Sequence, residues 1–368
     1  MSNEGRQRSI LKEEILEIKE TFGDGRRTDI THADGEISIE DMIPNEEVAV
    51  TISSLGYIKR IKSGEFKTQA RGGRGSKGSK NRNTDFVEHL FIANTHNYLL
   101  FFTEQGRCFW LRVYEIPEAS KNASGRVIQN IVALPKDDKV RAYIIVKDLT
   151  DNEFLNSHYI MFCTQKGVIK KTSLEAFSRP RTNGINAITI REGDQLIEAK
   201  LTNGTQDIFL SNLGGRAIRF PEAKVRSMGR SAAGVRGMTL DGDHDRVIGM
   251  ICVSPTDPDK TIFVVSEHGN GKRSSVEDYR VTNRGGKGVK TLNVTEKTGA
   301  LVALKVISDD DDLMITTKNG IVIRMTADQF RVMGRATQGV KVINVDNDDS
   351  ISDVAVIRDA RNAGDEEE

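Results

Sequence analysis

The chain repeats one short pattern six times, and this repeat constrains its fold more than any other feature. Each copy reads Ser/Thr-x-x-Gly, follows a short apolar run and precedes a segment that carries Lys or Arg. The period is about 53 residues, which is typical of a chain built from small repeated structural units. The six copies are Ser53 to Gly56, Thr103 to Gly106, Thr164 to Gly167, Ser211 to Gly214, Ser266 to Gly269 and Thr317 to Gly320.

A second glycine follows in every copy, 17 to 20 residues after the first. Four copies also place a basic residue two positions after this second glycine. The repeat therefore carries charge as well as shape. The second glycines are Gly75, Gly125, Gly184, Gly234, Gly288 and Gly339, and the basic residues are Lys77, Arg236, Lys290 and Lys341.

Short apolar runs before the first glycines predict β-strands. Val48, Val50 and Ile52 alternate, whereas Leu99 to Phe102 and Ile262 to Val265 are continuous, as in strands buried on one or both faces. Each copy then forms one small antiparallel sheet, and six such sheets bury both faces when they close into a ring. We predict an all-β fold, a six-bladed propeller-like closed ring with blades from about Glu47 to Val345, within a domain spanning residues 31–346.

The two ends of the chain differ from the repeat. In the segment Ile10 to Phe22, apolar residues at spacings of four, three and four predict one short helix, which Gly23 ends. We assign residues 1–30 to this helix and a linker, and expect the helix to pack on something outside this chain. Residues 347–368 form an acidic tail, for which we consider competition with a ligand of the ring or a solubilising role.

The net charge is zero, from 53 basic and 53 acidic residues, but the charges are segregated. Nine Lys or Arg lie between Gly56 and Arg82 against one acid, while acids concentrate in short runs such as Asp309 to Asp312. Because binding depends on the local field, this segregation permits a nucleic-acid partner despite the neutral sum.

Other functional classes find little support in the sequence. The six histidines lack metal-ligand spacing, the three cysteines are far apart, and no catalytic triad or phosphate loop of βαβ type is present. We therefore expect no catalytic site, metal or cofactor. The chain also has no apolar run long enough for a membrane span and no signal peptide, so we expect a cytoplasmic protein.

The glycine-rich stretch from Gln69 to Gly78 is the strongest candidate for a binding loop, and it has a partial copy from Asn283 to Lys290 at the same phase of the repeat. Glycines let the main chain approach a phosphate closely, and Arg and Lys supply charge. Aromatic residues are not interleaved with the basic ones, which favours contact with the duplex backbone over stacking on single strands.

If all units contact the DNA backbone in this way, candidate DNA ligands recur around the ring. They are Lys59, Arg60, Gln69, Arg71, Gly72, Gly73, Arg74, Gly75 and Lys77 in the first unit; Arg107 and Arg126 in the second; Lys170, Lys171 and Arg181 in the third; Arg216, Arg219, Arg230 and Arg236 in the fourth; Lys272, Arg273, Arg284, Lys287 and Lys290 in the fifth; and Arg324, Arg335 and Lys341 in the sixth.

These residues carry a family resemblance. The stretch Gln69 to Gly75 resembles the Gln-Arg-Arg-Gly-Gly-Lys-Gly box of the DNA gyrase A family, with Ala70 in place of the first Arg and Arg74 in place of the Lys. The six repeats resemble the C-terminal domain of the same family. The resemblance implies a β-pinwheel, in which neighbouring blades exchange an edge strand and duplex DNA bends around the outer rim.

The resemblance also implies a division of labour. In the family the cleaving tyrosine follows an arginine, and none of the six tyrosines here does, so this chain is expected to hold DNA without cutting it. The implied partners are double-stranded DNA, the rest of the gyrase A polypeptide, and the gyrase B polypeptide, in an A2B2 complex that binds ATP and Mg elsewhere. The isolated domain is expected to be a monomer, and the complex to associate with the nucleoid. Two alternatives stay open: the equivalent C-terminal domain of topoisomerase IV, and a propeller that serves as a protein-interaction scaffold.

Overall fold

The computed structural model describes residues 4–24, 40–62, 87–120, 123–319, 321–345 and 349–357. The chain divides into two compact parts, Met1–Met42 and Ile43–Glu368. The first contains helix α1 (Glu4–Phe22) and a short 3-10 turn (Glu40–Met42), and the second contains the sheets. Neither helix in the described ranges combines the length and apolar character that crossing a membrane requires.

Helix α1 confirms the helix predicted from the spacing of apolar residues. The amide of Gly23 still donates to the carbonyl of Lys19, at 2.9 Å, and the helical assignment ends at Phe22. Exposed side chains form the apolar stripe, including Leu11, Ile15 and Phe22. That α1 packs on a partner outside this chain stays a prediction.

The second part contains six small sheets and one short helix, α2 (Asn152–Ser157). The strands are β1 (Glu47–Ser53), β2 (Tyr57–Lys62), β3 (Val87–Asn94), β4 (Tyr98–Thr103), β5 (Arg107–Arg112), β6 (Arg126–Val127), β7 (Val140–Val146), β8 (Tyr159–Thr164), β9 (Val168–Ser173), β10 (Ile185–Asn186), β11 (Leu196–Thr202) and β12 (Asp207–Asn212). They continue with β13 (Arg216–Pro221), β14 (Val235–Arg236), β15 (Val247–Val253), β16 (Thr261–Ser266), β17 (Asn270–Ser275), β18 (Val289–Lys290), β19 (Leu301–Ile307), β20 (Asp312–Thr317), β21 (Val322–Thr326), β22 (Val340–Lys341) and β23 (Ile351–Ile357).

Each repeat unit contributes three antiparallel strands to its own blade, and in the described residues units two to six each add one short strand to the blade before them. In blade 3, for example, the order is β11-β8-β9-β14, where β14 belongs to the fourth unit. The same exchange adds β6 to blade 1, β10 to blade 2, β18 to blade 4 and β22 to blade 5. In the described residues blade 6 has three strands, β21-β20-β23. The exchange confirms the pinwheel that the family resemblance implied.

The core lies between neighbouring blades, because the central strands are apolar on both faces. Phe102 of β4 meets Phe162 of β8 edge to face at 5.3 Å between ring centroids, and Phe177 lies 5.8 Å from Phe102. All three rings are completely buried. Burying an aromatic side chain of this size contributes about 1.5–3 kcal/mol, so each boundary between blades is itself a small hydrophobic core.

The innermost strands close the ring. In order around it, β7 contacts β11, β11 contacts β15, β15 contacts β19, β19 contacts β23, and β23 contacts β3 of the first blade. The last step, from β3 to β7, is made by His89 and Tyr143, whose ring centroids are 4.9 Å apart. The predicted six-bladed closed ring is confirmed.

The first turn follows the predicted pattern in units one, two, three and five and differs in the fourth, while Gly320 of the sixth unit lies outside the described residues. The Ser53 hydroxyl accepts a hydrogen bond from the amide of Tyr57 at 3.1 Å, beside Gly56 at φ +80°. In the fourth unit the equivalent acceptor is the Asn212 side chain, bonded to the amide of Arg216 at 2.8 Å, and the glycine with positive φ is Gly215. The predicted turn from Ser211 to Gly214 was therefore wrong by one residue.

The ring also extends further than predicted. Strand β23 pairs with β20 from Asp312↔Ile357 to Thr317↔Ile351 and buries Val354 completely. The predicted boundary at residue 346 was too early, since the segment after it supplies the inner strand of the last blade. The acidic end, Asp365 to Glu368, lies outside the described residues.

Candidate nucleic-acid interface

In blades 1 to 5 the outer edge is the short strand donated by the next unit, and four of these five strands carry a basic side chain. We call these strands, β6, β10, β14, β18 and β22, together with the loops that precede them, the rim. Backbone pairing sets their register: Arg126 faces Ile58, Arg236 faces Val168, and Lys290 faces Arg216. The basic side chains on these strands are exposed, namely Arg126, Arg236, Lys290 and Lys341.

In units two to six the second glycine makes this edge possible. Gly288 has φ +74°, and a Cβ atom there would lie 2.4 Å from the carbonyl oxygen of Ala217 on the neighbouring strand β13. A side chain would both strain the backbone and force the two strands apart. The sequence therefore needs glycine where the loop crosses onto the preceding blade.

Two arginines tie neighbouring rim strands together. Arg284 donates from Nε to the carbonyl of Lys224 at 3.2 Å and from Nη1 to the carbonyl of Arg236 at 3.1 Å. One blade further on, Arg335 repeats the pattern, with the carbonyls of Asp278 at 3.0 Å and Lys290 at 2.9 Å as acceptors. Both occupy the position four residues before the second glycine. These bonds use two of the five N–H donors of each guanidinium and hold the cation at the outer edge.

An acidic residue is paired with part of the basic surface. Asp241 accepts a hydrogen bond from Lys287 Nζ at 2.6 Å and lies 3.9 Å from Arg216 Nε. The hydrogen bond and charge of Lys287 hold the pKa of Asp241 below its usual range. A carboxylate in this position competes with any phosphate that approaches the two cations. The sequence did not single out Asp241, because an exposed Asp in an acidic loop has no distinctive spacing.

Three further candidates differ in accessibility. Arg181 is exposed in the loop of the third unit. Arg107 is half-buried and donates to the carbonyl of Asn183 at 2.5 Å, which ties β5 to the same loop. Arg230 is half-buried, and its carbonyl accepts a hydrogen bond from Lys170. Their contact with DNA stays a prediction.

Three predicted DNA ligands point into the protein. The ammonium groups of Lys59, Lys170 and Lys272 donate to main-chain carbonyls, and the side chains are 3%, 0% and 0% exposed. Burial lowers the pKa of Lys170 to about 8, and the positive charge of Arg230 adds to this. Burial likewise lowers the pKa of Lys272 to about 8. A buried ammonium with its donors engaged cannot bind a phosphate at the surface, so the assignment of these residues as direct ligands was wrong.

In units one to five the next residue, four positions after the turn glycine, links successive blades. Arg60 donates to the carbonyl of Ile116 at 2.8 Å, Arg219 to that of Val276 at 2.8 Å, and Arg273 to that of Ala327 at 3.0 Å. In the second unit Trp110 takes this place and donates from Nε1 to the carbonyl of Phe177 at 3.0 Å. The equivalence of Trp110 could have been found from its offset, but not from its charge.

Acidic partners neutralise most of these cations. Arg219 pairs with Asp207 at 2.7 Å, Arg273 with Asp309 at 2.7 Å, and Arg60 with Glu118 at 3.3 Å. In the third and sixth units Lys171 pairs with Glu222 and Arg324 with Asp312. Of these basic residues, only Arg324 is exposed. The structure therefore uses the others mainly to join blades, and predicted DNA contacts at Arg60, Lys171, Arg219 and Arg273 would have to compete with these bonds.

The box that suggested the family lies outside the described residues, and with it Gln69, Arg71, Gly72, Gly73, Arg74, Gly75 and Lys77. Its partial copy is described. There the amide of Gly285 donates to the carbonyl of Gly237 at 2.6 Å, and Lys287 and Lys290 are exposed. In the described ranges no group of three His, Cys, Asp or Glu residues is placed to hold a metal ion.

All six repeat units match one protein family, described as DNA gyrase C-terminal domain, beta-propeller. The matches cover residues 47–94, 97–147, 158–203, 206–254, 260–308 and 311–358. Their bounds agree with the six sheets, and the last match includes β23.

Curated relatives and solved structures agree with this family. The DNA gyrase A protein of Staphylococcus aureus strain MRSA252 is 39% identical over 360 residues, and that of strain NCTC 8325 / PS 47 is 40% identical over 361 residues. Each alignment covers 98% of this chain and 40% of the relative, so the chain spans about two fifths of their length.

Two solved structures share the architecture at 25% identity. The C-terminal domain of DNA topoisomerase IV superimposes with a TM-score of 0.72, covering 86% of this chain and 95% of that one. The DNA gyrase A C-terminal domain superimposes with a TM-score of 0.65, covering 85% of this chain and 100% of that one.

Proposed function

The chain belongs to the DNA gyrase C-terminal β-propeller family, and we propose that its rim binds duplex DNA and bends it around the ring. The observation that carries this proposal is the recurrence of exposed basic residues on the exchanged strands of successive blades. Arg126, Arg236, Lys290 and Lys341 are exposed on four of these five strands. A curved row of cations on a closed ring suits a bent polyanion.

The energetics of bending favour such a distributed surface. Bending a duplex of 20–30 base pairs by 40–90° costs about 1–6 kcal/mol. A few contacts at one place do not keep such a length of DNA bent. Blades joined by buried aromatic cores resist deformation by the DNA. Contacts spread over several blades then supply the offsetting free energy along the whole bend.

The proposed contacts are with the phosphate backbone. Lysine and arginine side chains and glycine-flanked main-chain amides recognise phosphates without reading base sequence. Stacking on single-stranded bases needs exposed aromatic rings, and the rim strands carry none in the described ranges. We therefore propose sequence-independent binding of double-stranded DNA.

In the whole protein, this wrap would serve strand passage. By membership of the family, we propose that the DNA wraps with a right-handed sense and presents a neighbouring segment for passage, so that the gyrase complex introduces negative supercoils. Cleavage, ATP and Mg would belong to other parts of an A2B2 complex of the gyrase A and gyrase B polypeptides. The protein would act in the cytoplasm at the nucleoid, with the isolated domain as a monomer.

Ligation of nicked circular DNA in the presence of this chain tests the wrap directly. Right-handed wrapping traps positive writhe, so the closed circles should show a raised linking number that grows with the ratio of protein to DNA. Binding should also weaken steeply with salt. With about ten phosphates neutralised, log K should fall with log salt at a slope near −9. A slope near −2 together with an unchanged linking number would refute wrapping.

Two triple variants test the role of the box in the complete enzyme. Replacing Arg71, Arg74 and Lys77 by alanine should abolish supercoiling by the reconstituted complex and leave relaxation intact. The equivalent change in the partial copy, at Arg284, Lys287 and Lys290, is the matched comparison and should reduce supercoiling less. Full supercoiling by the first variant would count against the proposal.

A second candidate is the equivalent domain of topoisomerase IV, favoured by the higher TM-score of 0.72 against that structure. Curated gyrase A sequences at 39% and 40% identity favour gyrase. The assay that separates gyrase from topoisomerase IV is supercoiling of relaxed plasmid by the complete complex.

A scaffold for other proteins would instead show no shift of long duplex DNA in a gel titration at two salt concentrations.

A further inference from the structure

Buried lysines alternate around the ring. Three residues after the turn glycine, blades 1, 3 and 5 carry Lys59, Lys170 and Lys272. At the same position, blades 2, 4 and 6 carry Phe109, Ile218 and Ile323. An apolar side chain therefore fits this place in the fold, and packing alone does not require a lysine.

Each lysine reaches the rim loop of the following unit. Lys170 Nζ donates to the carbonyl of Arg230 at 2.6 Å and to that of Ala187 at 2.7 Å. Lys272 Nζ donates to the carbonyl of Gly334 at 2.7 Å, to the carbonyl of Arg335, and to the hydroxyl of Thr337 at 3.2 Å. Both ammonium groups thus hold the main chain of a loop that precedes an exchanged strand.

Lys59 makes the equivalent contacts in the first blade. Its Nζ donates to the carbonyls of Ala123 at 2.8 Å and Ser120 at 3.2 Å, in the loop before β6. The three supported loops therefore belong to units two, four and six.

Two of the three lysine-supported loops have similar sequences, and they differ from the loop of unit five. Residues 228–234 read Met-Gly-Arg-Ser-Ala-Ala-Gly and residues 333–339 read Met-Gly-Arg-Ala-Thr-Gln-Gly, and both have a lysine beneath them. Residues 284–288 read Arg-Gly-Gly-Lys-Gly, have Ile218 at the corresponding place, and are held by a main-chain bond from Gly285 to Gly237 at 2.6 Å. The loop of unit five docks through its own backbone, whereas the loops of units two, four and six are docked by an ammonium. The loop of unit three, residues 178–184, has no glycine pair and has Phe109 at the corresponding place.

Retaining a charge here is costly, because removing an ammonium from water is unfavourable unless hydrogen bonds compensate for it. The lowered pKa values of Lys170 and Lys272, both to about 8, express that cost. A positive charge directly beneath a loop attracts a polyanion that binds on the other side of that loop.

We propose that Lys59, Lys170 and Lys272 are positioning residues for DNA binding, each fixing the course of the rim loop above it and adding positive potential beneath the phosphates. This inference rests on the proposed function. The lysines bind loop carbonyls from the inner side, and the half-buried arginines at positions 230 and 335 lie in the same loops. In the described residues, the lysine-docked loops of units two, four and six then alternate along the DNA path with the loops of units three and five, which have no lysine beneath them.

The test compares Lys170→Met/Lys272→Met with Lys12→Met/Lys19→Met, which removes the same charge from exposed sites on α1. The first variant should bind long duplex DNA about tenfold more weakly at 0.1 M salt, and its salt slope should be flatter by about 2, or one phosphate per loop. Amide hydrogen exchange should accelerate in residues 229–234 and 334–339 and stay unchanged in 285–288. Affinity and slope equal to those of the α1 variant would overturn the inference, and so would equal acceleration in all three loops.

A pH titration of the unaltered chain gives an independent result if the variant fails to fold. The charged group facing Lys170 is Arg230. The charged groups facing Lys272 are Asp278 and Arg335. Bound phosphates favour the charged ammonium, so affinity at constant salt should fall roughly tenfold between pH 7 and pH 9, with a midpoint near pH 8. Binding that is constant over this range overturns the inference alone, whereas no binding at pH 7 defeats the proposed function itself.

Discussion

Lys171 and Glu222 form a buried ion pair across the boundary between blades 3 and 4, with Nζ 2.9 Å from Oε1. Glu222 also accepts a hydrogen bond from the Thr202 hydroxyl at 2.7 Å, and the ammonium lies 4.0 Å from the centre of the Tyr159 ring. The lysine comes from strand β9 and the glutamate from the turn that follows β13. The pair therefore bonds one repeat unit to the next where the neighbouring boundaries use a hydrogen bond from Trp110 or Arg219 to a main-chain carbonyl.

Removing one partner of this pair should destabilise the ring strongly. Glu222→Gln leaves a buried ammonium without its counter-charge, and we expect the free energy of unfolding to fall by about 3 kcal/mol in urea titrations. Lys171→Met/Glu222→Met removes both charges and should recover most of that loss. Glu4→Gln, which breaks the exposed Arg8–Glu4 pair on α1, is the control and should change stability by less than about 0.5 kcal/mol. An equally small effect of Glu222→Gln would contradict the structural role.

Neutralising Asp241 should strengthen DNA binding. Asp241→Asn releases Lys287 and Arg216 from their acidic partner, and we expect affinity for duplex DNA to rise about threefold to tenfold, with a steeper dependence on salt. Filter binding or fluorescence anisotropy at several salt concentrations measures both quantities. Asp243→Asn changes the net charge equally at an exposed neighbouring position. If both variants gain affinity to the same extent, the effect is one of total charge and not of these contacts.

The fold was largely predictable because its determinants are local and repeated. A glycine in fixed phase and an apolar run of strand length recur in each unit, so one repeated pattern predicted all six blades. The fourth turn was misplaced because Ser211 satisfies the pattern one residue too early, while the Asn212 side chain accepts the bond that a hydroxyl accepts elsewhere. The last strand was missed because it begins within the acidic run from Asp346 to Asp353.

The candidate site was only partly predictable, because charge alone does not reveal the direction of a side chain. Lys290 and Lys170 are both basic residues at fixed offsets from a glycine, yet Lys290 is exposed and Lys170 is completely buried. Which of them faces outward depends on the exchange of strands between blades. This pairing joins residues far apart in the chain, such as Arg216 and Lys290, and local sequence does not encode it.

Gly288→Ala should loosen the exchange between blades 4 and 5. The substitution combines a positive φ of 74° with a Cβ only 2.4 Å from the carbonyl of Ala217, and we expect a loss of about 2–4 kcal/mol in the free energy of unfolding. Gly229→Ala is the matched control, since a Cβ at that position meets no atom within 4 Å. Hydrogen exchange should show the loss first at Val289 and Lys290. Equal stability of the two variants would contradict the need for glycine at the crossing.

Protonation of Glu88 should stabilise the closure between the first and last blades. Burial raises the pKa of Glu88 from 4.5 to about 7, and Asp353 of β23 adds to the shift by its charge and a hydrogen bond, while Lys305 and Arg141 oppose it. Because the folded form holds this proton more tightly than the unfolded form, the stabilisation is complete below pH 4.5 and is lost as pH rises through 7.

Solvent reaches 32% of the Glu88 side chain, so we expect this contribution to be about 1–2 kcal/mol. Urea unfolding at pH 5 and pH 7.5 measures it as the difference between the wild type and Glu88→Gln. The glutamine variant keeps the volume and a hydrogen-bond donor but cannot ionise beside Asp353, so it should lose less stability than the wild type as pH rises. His89 next to it does not confuse the comparison, since burial lowers its pKa to about 3 and it stays neutral throughout. Parallel pH profiles of the two proteins would show that the Glu88 carboxyl does not titrate at this boundary.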